Sequence, residues 1–506
     1  MSLKDTLSYE PVELSFGTSG LRGLVTDMTD LECYINAIGF MRFLAKEDAL
    51  IQGSRVFLGG DLRTSTPRIM QVMTAAITDA GYVPVYCGKI PTPALAYYAL
   101  MHKSPCIMVT GSHIPADRNG IKFYKSAGEI LKTDETVMQQ HVTLARAEVY
   151  SSNVDLFDSN GSLQLLPALP VLDSAAETEY LKRYTDLFSD TSLSGKKIVM
   201  YQHSAVGRDV IAALLEALGA EVVRVGRTDT FVSIDTENVR EKEKALFNQF
   251  ATENPGLFAI VSTDGDSDRP FVIDETGEFH RGDVLGCVVA DFLGAKFAAV
   301  PISSNDAIDT FCNNKGITAV HTKIGSPYVI DAMAKSSEHP SVSWEVNGGF
   351  LTIDDVNIGN GTLAALPTRD AVLPILAALL SAVSSGKKVS QIFAELPSRF
   401  TGGGLVDVDE AQITQYRSIS ADIDKMRELA SQVFGSAGIG AITQLNTTDG
   451  LRLIFDSGDV VHLRPSGNAP QFRVYTNAST QLDADRLADQ ALADGGYIAS
   501  FLKLLV

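Results

Sequence analysis

At 506 residues the chain is longer than a single hydrophobic core supports, so several domains are expected. Its 45% hydrophobic and 20% charged composition is that of a soluble globular protein, and a formal net charge of −19 argues against nucleic-acid and anionic-membrane partners, which select basic surfaces. Any phosphate site must therefore be a local concentration of Arg, Lys and backbone N–H groups.

Residues 1–16 carry Lys4, Asp5, Glu10 and Glu13 with no apolar core, and do not read as a signal peptide. The most apolar stretch, residues 371–383, contains Pro374 and falls short of the ~20 residues a spanning helix needs. Cys33, Cys87, Cys106, Cys287 and Cys312 are scattered and odd in number with no CxxC, the pattern of reduced thiols in a cytoplasmic protein.

In chain order, a strand is predicted at 55–61, then Arg63, a helix through Ala80, Gly81, and a second strand ending near Gly88. The plan returns at 197–201, with Arg208, a helix ending at Leu218, Gly219 and a strand to Gly226. The interval from Gly81 to Gly88 is 7 residues, as is that from Gly219 to Gly226. A looser third copy runs from 297–302 through Gly316 to Gly325. Apolar strands alternating with amphipathic helices that stop at Gly describe βαβ units. Each copy leads to a short strand and a polar, Gly-containing loop: residues 106–115, 257–269 and 342–350. Open α/β sheets place ligands at such carboxyl ends. Residues 139–172 read as a loose surface excursion. The C-terminal part has a Gly-rich break at 401–404, helices near 413–434 and 483–505, and antiparallel strands at 451–455, 460–464 and 472–475.

In the loop Asp264-Gly-Asp-Ser-Asp268, three carboxylates at alternate positions can converge on one hard cation, Mg²⁺ or Ca²⁺. An EF-hand is disfavoured because Arg269 stands where that loop needs Gly, although Glu275 occupies its last position. In Thr110-Gly-Ser-His-Ile-Pro115, Ser112 sits behind a turn-forming Gly111, and His113 and Lys122 supply proton-transfer candidates. The loop Arg464-Pro-Ser-Gly-Asn-Ala-Pro470, with Arg473 beyond it, offers guanidinium, hydroxyl and backbone donors for a phosphate. Glu345 and Asn347, in Glu345-Val-Asn-Gly-Gly349, suit contacts to adjacent sugar hydroxyls.

Together and in this order, these loops resemble the α-D-phosphohexomutase superfamily, which includes phosphomannomutase/phosphoglucomutase-like proteins. The opening Phe16-Gly-Thr-Ser-Gly-Leu-Arg-Gly23 is similar to that family's FGT-x-G-x-RG. Thr110 to Pro115 is similar to T-x-S-H-N-P, with Ile114 replacing Asn. Asp264 to Arg269 matches D-G-D-x-D-R in full, and Arg464 to Pro470 is similar to R-P-S-G-T-E-P. The sugar loop, usually G-E-x-S-G, keeps Glu345 and substitutes Asn347 for Ser. Where some relatives carry His in the loop 323–327, this chain has Ser326.

The resemblance implies an α/β fold of four domains around a central cleft: three related βαβ-type mixed-sheet domains and a C-terminal α+β domain. Boundaries are expected at 1–165, 166–285, 286–395 and 396–506. It implies an isomerase in which phosphorylated Ser112, with Asp264, Asp266 and Asp268, holds one Mg²⁺. Substrate phosphate is expected on Arg464, Ser466, Gly467 and Asn468, with Arg269 and Arg473 assisting. Glu345 and Asn347 would grip the sugar, Arg22 would lie near the reacting centre, and His113 or Lys122 would be the general base. A sugar 1,6-bisphosphate is the expected activator. Interconversion of mannose 6-phosphate and mannose 1-phosphate is favoured; glucose and glucosamine phosphates are alternatives, as is a non-catalytic phosphosugar-binding protein. A monomer or homodimer acting on small hexose phosphates, with no nucleic acid and no membrane, is expected.

Overall fold

The strand Arg55–Gly60 is buried at every position but its first, as an interior strand covered on both faces must be. The computed structural model describes residues 2–17, 19–152, 156–237, 239–435, 439–466 and 471–505. Arg55–Gly60 pairs in parallel with Val83–Lys89 on one side and Cys106–Val109 on the other. Cys106–Val109 then pairs antiparallel with Arg118–Lys125. The connecting helix Thr66–Asp79 has Pro67 in its first turn and buries Ile69, Met70, Val72, Met73, Ala76 and Ile77. It ends at Gly81, whose φ of +83° only Gly adopts cheaply. Leu21–Leu24 and Ser15–Phe16 extend the antiparallel side.

A second sheet runs Glu221–Val225, Lys197–Tyr201, Leu257–Thr263, Pro270–Asp274 and Phe279–His280. Its first three strands are parallel and the fourth antiparallel, the same order and directions as Val83–Lys89, Arg55–Gly60, Cys106–Val109 and Arg118–Lys125 of the first sheet. The repeat in the Gly spacing is thus a repeat of topology. A third antiparallel set, Ser341–Trp344, Phe350–Thr352 and Leu366–Asp370, again turns through a polar Gly loop between its first two strands.

The chain divides into two compact units, one of Met1–Ala298 with Gly325–Phe393, the other of Ala299–Ile324 with Ala394–Val506. The second unit holds the antiparallel order Phe400–Asp407, Gln471–Ala478, Val460–Pro465, Leu451–Phe455 and Ile442–Asn446. The fold corrects three of the expectations above. The Gly-rich segment 401–404 is no break but the middle of the edge strand Phe400–Asp407. Residues 139–151 belong to the helix Lys132–Ser151 and are no loose excursion. The two C-terminal helices are each divided: Asp422 caps a fresh helix Ile423–Phe434 by accepting from Lys425 N, and Gly495-Gly496 separate Gln481–Leu492 from Tyr497–Lys503. All five cysteines are free and buried. Among the described residues no helix is long and apolar enough to cross a membrane.

Candidate active site

Ser112 sits just beyond the strand Cys106–Val109 with φ +52°, a left-handed conformation that costs a non-Gly residue energy and marks a constrained position. The constraint has visible causes. Its N–H donates to Thr110 Oγ1 at 2.8 Å, and its carbonyl accepts from Arg63 Nη2 at 2.9 Å. The same guanidinium donates to the carbonyls of Ile114, Pro115 and Arg118 and pairs with Asp61, so one buried side chain ties the whole loop. Asp61 in turn accepts from Thr110 Oγ1 and Gly111 N.

So held, Ser112 Oγ donates to Asp264 Oδ2 at 2.6 Å and lies 3.3 Å from His113 Nδ1. Asp264, Asp266 and Asp268 stand on the turn between the antiparallel strands Leu257–Thr263 and Pro270–Asp274, all fully buried, with one oxygen from each within 4.8 Å of the others. Strands flank this turn, and Glu275 accepts from Ser390 instead of closing a calcium loop. Burial, reinforced by its two carboxylate neighbours, pushes Asp264 well above the usual carboxylate range. Burial also opposes ionisation of Asp266 and Asp268, but nearby cations more than reverse it and hold both below that range. For Asp266 the cation is Lys122, whose Nζ lies 2.7 Å from it and 2.6 Å from Asp268; Thr92 Oγ1 also donates to Asp266 at 2.6 Å. For Asp268 it is first Arg369, with Nη2 at 3.0 Å. The Oδ1 atoms of Asp266 and Asp268 remain buried with no hydrogen-bond partner. Two carboxylates with bare oxygens, beside a third whose Oδ2 accepts from Ser112, are the donor set a hard divalent cation takes, so the site fits Mg²⁺.

Around the carboxylates stand Arg22, Arg269, Arg369 and Lys122. Burial lowers Arg22 to about 10, with Arg269 and Arg369 adding to the effect. Burial also lowers His113 well below its ordinary value, and the same cations act in that direction. Arg22, lowered by burial and its cationic neighbours, and Arg269, Arg369 and Lys122, held up against burial by the carboxylates, are the local concentration of cations that a −19 chain needs to receive a phosphate.

Arg369 reaches from the Asp cluster to the next loop, donating Nη1 to Glu345 Oε2 at 3.0 Å. That loop is fixed by the helix Gly282–Phe292: a Cβ on Gly282 would come within 2.1 Å of Gly348 N, and Trp344 Nε1 donates to the Asp283 carbonyl. Asn347 Nδ2 donates to Glu237 Oε1 at 3.2 Å and to Glu345 Oε2 at 3.4 Å, while its Oδ1 accepts from Gly349 N. Ser326 is buried and donates to Glu129, which also accepts from Thr368.

Thus Ser112, His113, Lys122, the three Asp, Arg22, Arg269, Glu345 and Asn347 gather in one unit. Arg464, Ser466 and Arg473 lie in the other, where Arg464 and Arg473 face each other across paired strands and Arg464 Nε lies 3.1 Å from Asp449. Gly467 and Asn468 lie outside the described residues. Arg369, Glu237, Thr92 and Arg63 were missed as site residues because each acts across tens to hundreds of residues with no motif of its own. Only Arg63, placed like Arg208 in the repeat, carried a signal: both arginines hold backbone carbonyls, Arg63 those of the serine loop and Arg208 those of His203 and Thr228.

Repeated mixed sheets delivering a strained serine, a cation-ready carboxylate cluster and a ring of arginines define a multidomain α/β protein built to handle phosphate esters. Residues 13–146 match the family model "Phosphoglucomutase/phosphomannomutase, alpha/beta/alpha domain I", and residues 281–400 match domain III of the same family. A phosphomannomutase of Sinorhizobium fredii is 39% identical over 483 residues, covering 94% of this chain and 98% of that protein. A phosphoglucosamine mutase of Thermosipho africanus is 28% identical over 392 residues, covering 76% and 82%. The crystal structure of a phosphoglucomutase/phosphomannomutase family protein from Burkholderia thailandensis superposes with a TM-score of 0.71 at 17% identity, covering 96% of this chain and 97% of that one. The chain belongs to the phosphoglucomutase/phosphomannomutase family.

Proposed function

We propose that the protein is a magnesium-dependent phosphomannomutase that interconverts mannose 6-phosphate and mannose 1-phosphate through phosphorylated Ser112. The observation that carries this reading is the 2.6 Å approach of Ser112 Oγ to Asp264, at the edge of a buried carboxylate cluster ringed by cations. The near full-length similarity to a phosphomannomutase, greater than that to a phosphoglucosamine mutase, favours mannose over glucosamine.

The residues divide the work. A sugar hydroxyl attacks the phosphoryl group on Ser112: the new sugar O–P bond forms as the serine O–P bond breaks, leaving a bisphosphorylated sugar. That intermediate turns and returns its other phosphate to Ser112. The proton lost by the attacking hydroxyl ends on the leaving Ser112 Oγ; His113, its ring 3.3 Å from that oxygen, and Lys122 are the two candidates to carry it. Lys122, donating to two carboxylates, is also a cation beside the transferring group. Arg22, Arg269 and Arg369 receive its charge. Asp264, Asp266 and Asp268, with the oxygen of phosphorylated Ser112, would hold Mg²⁺, which supplies charge neutralisation at the transferring phosphoryl. Glu345 and Asn347 grip sugar hydroxyls. The existing phosphate docks on Arg464, Ser466, Gly467, Asn468 and Arg473. Like charges opposite each other across strands repel, so Arg464 and Arg473 favour an anion between them. We place domain boundaries near residues 165, 285 and 395, and the protein in the cytoplasm as a monomer or homodimer working on free hexose phosphates.

The test is a coupled mutase assay with Mg²⁺ and a sugar 1,6-bisphosphate primer, comparing mannose, glucose and glucosamine 1-phosphates on wild type and Ser112→Ala. Turnover lost in the variant and the highest kcat/KM on the mannose ester support the proposal. Full activity without Ser112 would sink the mechanism; a preference for another sugar would reassign the substrate.

A further inference from the structure

The segment 231–237 has no helix or strand, yet it is pinned along its length. Phe231 lies under the Arg63 guanidinium, 3.8 Å from ring centroid to Cζ. Ser233 Oγ donates to the His113 carbonyl, Ile234 is buried, and Thr236 Oγ1 donates to the Asn347 carbonyl at 2.9 Å. The segment is therefore fixed at one end to the serine loop and at the other to the sugar loop.

What it presents is Glu237. One oxygen, Oε1, accepts from Asn347 Nδ2 at 3.2 Å. Its nearest guanidinium atom, Arg269 Nη1, is 3.9 Å away, too far for a hydrogen bond. The side chain is 36% exposed, whereas that of Glu345 beside it is 6% exposed and already accepts from Arg369. Asn347 also has little left to give: its amide N–H groups point to two carboxylates and its Oδ1 accepts from Gly349 N. Glu237 thus has more unspent acceptor capacity and a more open approach than Glu345 or Asn347, and unlike the equally open Asp235, whose Oδ1 accepts from Glu237 N, it is bonded directly to the sugar loop through Asn347.

We propose that Glu237 is a specificity-determining residue of this chain, accepting a hydrogen bond from a ring hydroxyl of the bound hexose phosphate; this rests on the function proposed above. A carboxylate held on a pinned backbone accepts O–H groups strongly and in a fixed direction, so it rejects a sugar lacking the matching hydroxyl.

A double-mutant cycle between protein and sugar tests this. With Mg²⁺ and bisphosphate primer, kcat/KM is measured for the parent hexose 1-phosphate and its 2-, 3- and 4-deoxy analogues on wild type, Glu237→Gln and Glu237→Ala. In wild type each missing hydroxyl that is bound carries a penalty of about 10- to 100-fold. The expected result is that one of these penalties shrinks at least tenfold in Glu237→Ala, and partly in Glu237→Gln, while the others persist. A structural role alone would lower activity on all analogues by one factor and leave the penalties unchanged, and that result overturns the assignment. Wild-type enzyme that turns over no hexose 1-phosphate would instead bring down the proposed function, and this inference with it.

Discussion

Arg63 lies buried under the serine loop and donates Nη2 to the Ser112 carbonyl at 2.9 Å, the contact that holds the serine in its left-handed conformation. Its partner Asp61 is fully buried as well. Arg63→Ala therefore removes four carbonyl contacts and leaves a carboxylate without its counter-charge. Loss of one member of a buried pair costs about 3–5 kcal/mol. Denaturant unfolding of the full chain is expected to show that loss, together with a fall in turnover far beyond the unfolded fraction. A variant as stable and active as wild type would show that the loop holds Ser112 without Arg63.

Asp266→Asn removes one anionic ligand from the cluster while keeping the shape of the side chain. The expected outcome is a drop in turnover of at least about a hundredfold and a rise of more than about tenfold in the Mg²⁺ concentration giving half-maximal activity. Chelation should silence wild type, and added Mg²⁺ should restore it. Unchanged activity of Asp266→Asn at limiting Mg²⁺ would remove that residue from the ligand set.

How far the site was legible follows from how each residue works. Ser112, Asp264–Asp268 and Glu345 sit in contiguous polar loops at strand ends, and a short window contains everything their chemistry needs. Arg369 does not: it lies within a strand and meets Asp268, 101 positions earlier, through topology alone. Glu237 likewise meets Asn347 across 110 positions from an unpatterned segment. The fold was legible where hydrophobic period and Gly stops agreed, as in Arg55–Gly60 and Thr66–Asp79. It was illegible at 401–404, where three glycines suggested a loop but tertiary packing required a strand.

That packing makes its own claim. A Cβ on Gly402 would lie 2.5 Å from the Ala484 carbonyl oxygen of the helix Gln481–Leu492, so the glycine lets helix and edge strand meet. Backbone cannot move aside as a side-chain tip can, and overpacking of this kind costs typically ~1–3 kcal/mol. Gly402→Ala is expected to lower the denaturant midpoint accordingly. A neutral substitution would mean that the strand tolerates sliding against the helix.

His462 supplies a pH dependence with a definite sign. It is buried in the second unit, donates Nε2 to the Asp449 carbonyl at 2.6 Å, and leaves Nδ1 with no partner. Burial, the dominant cause, lowers it from 6.5 to about 4. Above pH 6.5 the ring is neutral in both folded and unfolded chain, and nothing is lost. Between about 6.5 and 4 the unfolded chain takes up a proton that the folded chain refuses, so stability falls with pH by ~1.4 kcal/mol per unit, or about 3 kcal/mol in all. Below about 4 both forms are protonated and this contribution levels off. In His462→Gln the amide N–H can still donate to Asp449 but cannot titrate. Denaturant midpoints of wild type and variant, measured from pH 7 to pH 4, should diverge from parallel behaviour, with the variant losing less. Identical slopes in the two proteins would show that the folded chain takes up the proton at His462 as readily as the unfolded chain, and burial would not be lowering its pKa.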